Sequence, residues 1–130
     1  MARNEVYKVG SFVSLPVPTG KKSGDPIRVG SLNGVLQTNE ASLDIPSTPA
    51  SPYVQAPSSN RPGFASVALE GAFKLPVSTT TTRAVGDPVY ITSGGTLTTT
   101  DNSGANALFG HALEPKGATA NQLITVRIAN

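Results

Sequence analysis

Cysteine and tryptophan are absent from these 130 residues, and histidine occurs once. Without cysteine the chain has neither disulfides nor thiolate-bound metals, which fits a reducing compartment. His111 alone cannot assemble a metal cluster. Nor does a Ser-His-acid triad suggest itself, because no Gly-x-Ser-x-Gly elbow accompanies it. Lying in the apolar run Leu108–Leu113, His111 reads as a structural side chain.

Charge is scarce as well. Charged residues make up 14% of the chain, against about 25% in ordinary soluble proteins. Ten Lys/Arg and eight Asp/Glu leave a formal charge of +2, and Lys21-Lys22 is the longest run of one sign. A nucleic-acid binder carries a basic stripe, often with stacking aromatics, and this chain has neither. A free monomer normally keeps charge on its surface to stay soluble, so a weakly charged chain is expected to have its surface covered by partners. No apolar run approaches the ~20 residues that span a bilayer. Met1-Ala2-Arg3-Asn4-Glu5 continues into polar sequence without the apolar core of a signal peptide. These features predict a soluble chain made in the cytoplasm, with no nucleic-acid or membrane partner.

Catalytic constellations are missing too. Thr19-Gly20-Lys21-Lys22-Ser23-Gly24 looks like the end of a phosphate loop, but the motif needs Gly where Leu15 stands and Ser or Thr where Lys22 stands. Pro16 and Pro18 interrupt that loop, and no helix pattern follows to supply an N-terminal dipole. Asp25 and Asp87 each precede a proline in a turn, Asp101 lies in a Ser/Asn/Gly turn, and Glu70 and Glu114 flank apolar strands. No dozen-residue stretch gathers the acids that a Ca²⁺ loop requires. The reading is of a protein that is not an enzyme, with no catalytic residues, cofactor or metal.

What the chain does have is glycine (13), proline (11) and abundant Thr and Ser, a mixture that suits short strands and frequent turns. The predicted fold is all-β, a small β-barrel or β-sandwich in one domain, with an extended N-terminal arm and a long Pro-rich loop. Residues 1–19 form the arm and 20–40 a β-hairpin region, with a tight turn at Asn33-Gly34. Residues 41–63, with Pro46, Pro49, Pro52, Pro57 and Pro62, form the loop, where brief pairing is conceivable around Tyr53-Val54. Loops of this length are functional or disordered, and the sequence leaves both open.

Residues 64–130 are the main β core. Val67, Leu69, Phe73 and Leu75 share one parity across Gly71, where a bulge or close backbone approach is expected. Val89 and Ile91 face one way, Thr96–Thr100 forms a return strand, and Ile124, Val126 and Ile128 alternate in the last strand. Short helical turns are allowed at Ala105–Leu108 or Ala118–Gln122. One echo stands out: Gly24-Asp25-Pro26-Ile27-Arg28-Val29 matches Gly86-Asp87-Pro88-Val89-Tyr90-Ile91, followed by Gly34-Val35-Leu36 and Gly95-Thr96-Leu97. A duplicated hairpin and chance reuse of a good turn both account for it.

The ordered segments Val67–Pro76, Gly86–Tyr90, Leu108–Glu114 and Ile124–Ile128 resemble a family of tailed-phage capsid decoration, or cement, proteins. Its members share a Glu-Gly-hydrophobic-x-Leu-Pro strand, a Gly-Asp-x-Val-Tyr strand, an Ile/Phe-Gly-x-Ala-Leu/Val-Glu strand and a terminal Val-Arg-Ile/Leu strand. Gly24–Val29 matches more weakly, and the Pro-rich segment 41–63 departs from the family's shorter connections. A recombinase label carried by some members does not fit, because the phosphate loop is absent. The resemblance implies a virion protein on the outer capsid surface, partnered by the major capsid protein, forming a homotrimer and stabilising the mature head. Candidate capsid contacts in the arm and loop are Arg3, Glu5, Tyr7, Phe12, Tyr53 and Arg61. A receptor- or glycan-binding head-fibre or tail-associated β module is the alternative of a different class.

Overall fold

Glycine and proline cut the described chain into strands of two to seven residues. The computed structural model describes residues 11–41 and 61–130, and among these every regular element is a strand. In chain order they are β1 (Phe12–Pro16), β2 (Pro26–Val29), β3 (Leu32–Leu36), β4 (Phe64–Ala68), β5 (Ala72–Val77), β6 (Pro88–Ile91), β7 (Leu97–Thr98), β8 (Ala107–Ala112) and β9 (Gln122–Ile128). The all-β prediction holds. Neither stretch allowed to be helical is helical: Ala107 and Leu108 already belong to β8, and in Ala118–Gln122 the positive φ of Asn121 is excluded from a right-handed helix.

The strands form a four-stranded sheet in the order β1-β4-β3-β2 and a closed barrel in the order β5-β7-β6-β8-β9. Phe64 opens β4, which belongs to the sheet, and the barrel begins at Ala72. Val67 to Leu75 is therefore not one strand. The chain leaves the sheet after Ala68 and turns at Gly71, whose φ of +112° is accessible to glycine and strained for other residues.

Two apolar clusters result. Leu75, Val77, Val89, Ile91, Leu97, Phe109, Ala112, Ile124, Val126 and Ile128 fill the barrel, joined by Val35 from the sheet. Ile27, Leu36, Ala65 and Val67 line the sheet's other face, with Leu15, Val17, Val29 and Leu69 packed on them. In β4, β5, β6 and β9 these side chains follow the period-two alternation of a strand, and in β8 a register shift opposite Val89 and Tyr90 lets Phe109 and Ala112 share the inner side.

Asn33-Gly34 does not form the predicted turn. Gly30-Ser31 turns the β2–β3 hairpin, and Asn33 and Gly34 are buried within β3. Tertiary packing overrides the local signal. A Cβ on Gly34 would lie 2.3 Å from Val67 Cγ1 and 2.8 Å from the Ala68 carbonyl oxygen, so glycine is there for close approach. Asn33 anchors the sheet to the barrel. Its Nδ2 donates to the carbonyls of Leu108 (2.9 Å) and Ala129 (2.7 Å), and its backbone N–H donates to Asn130 Oδ1 (2.8 Å). Asn130 Nδ2 returns a bond to the Asn33 carbonyl (2.9 Å), and Arg28 Nη1 donates to Asn33 Oδ1 (2.8 Å).

The sequence echo extends to the whole sheet. The pairings of β1 with β4, β4 with β3 and β3 with β2 recur as β5 with β9, β9 with β8 and β8 with β6, all antiparallel. Gly24 and Gly86 share a φ of 92°. Asp25 Oδ2 accepts the Lys22 N–H, and Asp87 Oδ2 accepts the Ala84 N–H, both at 2.9 Å. The Gly24 N–H donates to the Leu36 carbonyl as Gly86 does to Ala112, and the Glu40 N–H donates to the Lys21 carbonyl as Lys116 does to Arg83. The Leu69 N–H donates to the Ser11 carbonyl as Ile128 does to Gly71.

Ile27 lies opposite Gly34, and Val89 opposite Gly110. The counterpart of Gly34-Val35-Leu36 is therefore Gly110-His111-Ala112, not Gly95-Thr96-Leu97. Leu15-Pro16-Val17 likewise repeats as Leu75-Pro76-Val77. The duplicated-hairpin reading is right but too small, because the chain contains one four-strand unit twice. The second copy carries an insertion, β7, that closes it into a barrel.

Gly110 repeats the close approach of Gly34. A Cβ there would lie 2.0 Å from the Arg127 carbonyl oxygen, where only backbone could yield. Gly110→Ala is expected to destabilise the protein by about 3 kcal/mol, the upper range for overpacking. Gly94→Ala, with its nearest neighbour at 3.8 Å, is expected to cost little, and chemical denaturation of both variants measures the contrast. Asn33→Ala removes the donor to two carbonyls and is expected to cost about 2 kcal/mol, in the range for leaving buried polar groups unsatisfied.

Candidate contact surfaces

Of the six candidate contacts, Arg3, Glu5, Tyr7 and Tyr53 lie outside the described residues. Phe12 and Arg61 lie within them. In the β1–β4 pair, Phe12 faces Ala68 at one end and Pro16 faces Phe64 at the other. Alternation puts Phe12, Ser14, Pro16, Phe64 and Ser66 on one face, opposite the face that carries Ala65 and Val67. Phe12 is 56% exposed. The Arg61 guanidinium stacks over the Phe64 ring, 4.3 Å from its centroid, a cation–π contact that holds the charge at the surface. The structure thus places Phe12 and Arg61 at opposite ends of one face of a two-strand ribbon.

A second surface lies on the barrel, on the outward positions of β5, β9 and β8. Lys74 pairs with Glu114 at 3.0 Å, and Thr125 donates its hydroxyl to the same carboxylate. Leu113 and Leu123 flank this clasp at 45% and 57% exposure. His111 is exposed and sits opposite Arg127, so the strand in the apolar run Leu108–Leu113 has one face outward. Phe109 and Ala112 point inward, and His111 and Leu113 outward.

A third feature escaped the sequence reading. A groove of about 430 Å³ runs between the end of β1, β2 and the barrel's β6–β7 turn, lined by Pro18, Lys21, Ile27, Arg28, Ile91 and Ala107 among others. Its charged lining residues are Lys21 and Arg28, both cationic. The Lys21 ammonium reaches Gly95, where a Cβ would come within 2.7 Å of Nζ. The signal for Lys21 was its place in the repeat, three residues before Gly24 as Arg83 stands three before Gly86.

Thr19–Gly24 forms turns that lead into a strand. The Gly20 N–H, which a phosphate loop would offer to an anion, donates instead to Glu40 Oε2 at 2.7 Å. Among the described residues no three His, Cys, Asp or Glu side chains gather to hold a metal ion. Lys116 is 2% exposed, yet its ammonium donates to the carbonyls of Thr79, Gly117 and Thr119. This hydrogen bonding makes its burial tolerable and ties the chain beyond β5 to the loop before β9.

A model of the phage cement protein family matches residues 59–128, which spans β4 to β9 and ends at the last residue of β9. The chain belongs to the phage cement protein family. No curated protein and no solved structure matches it. The four motif segments of the sequence reading all fall inside the matched region, and their glycines now have physical roles. Gly71 turns the chain between sheet and barrel, Gly86 closes the Asp-Pro turn, and Gly110 admits β9. The family is a structural one, and its name places its members on the phage capsid. β1, β2 and β3 lie outside the match, although they repeat the architecture of the matched half.

The Thr125 hydroxyl, and then Lys74, hold the Glu114 carboxyl below the usual carboxylate range. A depressed carboxyl contributes stability above its ordinary pKa and loses it as pH falls through the lowered value. Glu114→Gln is therefore expected to be slightly less stable than wild type at neutral pH and equal to it at strongly acidic pH. Thermal unfolding across that range checks this, and the effect is small because the pair is exposed.

Proposed function

We propose that this protein decorates the outer surface of the major capsid protein lattice and stabilises the mature head as a homotrimer. The family match over the barrel carries this reading. Low charge and several exposed large apolar side chains, among them Phe12, Val85, Leu113 and Leu123, support it, because such a surface is suited to being covered.

The energetics of a shell favour this design. A capsid repeats one junction many times, and a small protein straddling that junction adds buried area across several subunits. Self-association makes the attachment multivalent. Binding the assembled lattice in preference to free subunits stabilises the lattice by mass action. The chain outside the described residues, 1–10 and 42–60, carries Arg3, Glu5, Tyr7 and Tyr53 and supplies the remaining proposed contacts.

The expected result is stoichiometric co-sedimentation with expanded shells and none with isolated capsid subunits. Phe12→Ala combined with Arg61→Ala is expected to weaken shell binding at least ~5-fold, as loss of an interface anchor does, with little change in thermal stability. Deleting residues 1–10, which spares β1, is expected to weaken shell binding more than folding. Equal loss of both would count against the arm as a contact.

A further inference from the structure

The two copies of the four-strand unit differ in one respect. In the barrel, β7 lies between β5 and β6, with Leu97 opposite Val77 and Ile91 and Thr98 opposite Tyr90. The corresponding edges of the sheet, β1 and β2, have no described strand between them. The connections explain the difference. β6 reaches β8 through residues 92–106, long enough to include β7, whereas β2 reaches β3 through Gly30-Ser31 alone.

The packing records the missing strand. Leu75, Val77, Ile91 and Ile128 are at most 6% exposed in the closed barrel. Their counterparts Leu15, Val17, Val29 and Leu69 are only partly buried. The polar partner is missing as well. Arg83 Nη2 donates to the Thr99 carbonyl, just past β7, at 2.7 Å. Its counterpart Lys21 lines the groove at the open edge, and among the described residues its ammonium has no hydrogen-bond or ion-pair partner.

We propose that the gap between β1 and β2 is a docking groove for an extended segment of the capsid subunit, which takes the place that β7 fills in the barrel. This rests on the capsid-binding reading above. The geometry of β7 fixes the rest. The segment runs antiparallel to β2 and seats an apolar side chain between Val17 and Val29. Lys21 takes one of its carbonyls, and an acidic side chain of the segment faces Lys21 and Arg28, the two cations of a groove whose lining includes no acid. This is strand addition at a sheet edge, with pockets for alternate side chains. Pro18 stands where Ser78 offers its N–H to the Leu97 carbonyl. It has no N–H to give, so β2 supplies the main-chain pairing there and β1 is blunted against indiscriminate partners.

The absence of cysteine from the chain makes a direct test available. Val29→Cys introduces a single thiol at a partly buried position on the β2 side of the gap, and its reaction with a maleimide is timed in the full chain, free and bound to purified expanded shells. Labelling is expected to slow at least tenfold on the shell. Lys21→Glu is expected to weaken co-sedimentation at least tenfold, and Lys22→Glu, its exposed neighbour, to leave it unchanged. Co-sedimentation with unchanged labelling would overturn the groove while leaving the capsid reading intact, and absence of co-sedimentation would overturn both. Protection that grows with concentration in free protein would assign the groove to a second copy. Protection already present in dilute free protein would assign it to this chain's own residues, and either result overturns the proposal. Wild-type binding by Lys21→Glu would overturn the charge match. If Val29→Cys melts below wild type, Val17→Cys on the opposite side of the gap gives the same readout.

Discussion

Gly34 and Gly110 hold equivalent places in the two halves, and at each a neighbouring strand comes closer than a Cβ would permit. The approach draws β3 onto β4 and β8 onto β9, which places four strands in a tightly packed unit instead of a flat ribbon. Most other features of the fold follow from this. The Gly-Asp-Pro turns set the start of β2 and β6 so that Ile27 and Val89 fall opposite those glycines. The alternating apolar residues then line one concave face in each unit. A side chain at either glycine would force apart the strands that carry that face.

Local chemistry made much of this legible. Proline and glycine spacing, period-two alternation and the Asp-Pro turns were enough to predict an all-β chain with short strands. The size of the repeat was harder to see. Gly24-Asp25-Pro26 is conspicuous beside Gly86-Asp87-Pro88, but Leu15-Pro16-Val17 and Leu75-Pro76-Val77 have different neighbours. The insertion that contains β7 also moves Gly110-His111-Ala112 far from its turn, so Gly95-Thr96-Leu97 looked like the match. Asn33-Gly34 misled for another reason. The dipeptide that best forms a tight turn also offers a small residue and a versatile hydrogen-bonding side chain, and here tertiary packing uses both.

The site was less legible than the fold. Phe12 and Arg61 share a face because β1 and β4 pair in one register, which no local pattern encodes. Lys21 looked like a fragment of a phosphate loop, and only the correspondence with Arg83 gives it another meaning. The family match covers the closed half and β4, while β1, β2 and β3 repeat its design without matching. The two halves thus pair a closed barrel with a version of it that lacks one strand.

The joint between sheet and barrel has a consequence for how the chain folds. Asn33 and Asn130 exchange hydrogen bonds across 97 residues, and Asn33 also takes the Ala129 carbonyl. Contacts so distant along the chain carry a large loop-closure cost before they return any stabilisation. During synthesis the first unit can curl as soon as β4 has emerged, but it cannot be locked to the barrel until residue 130 has left the ribosome. The Asn33–Asn130 bonds of this joint therefore close late in synthesis, after β9 itself has emerged.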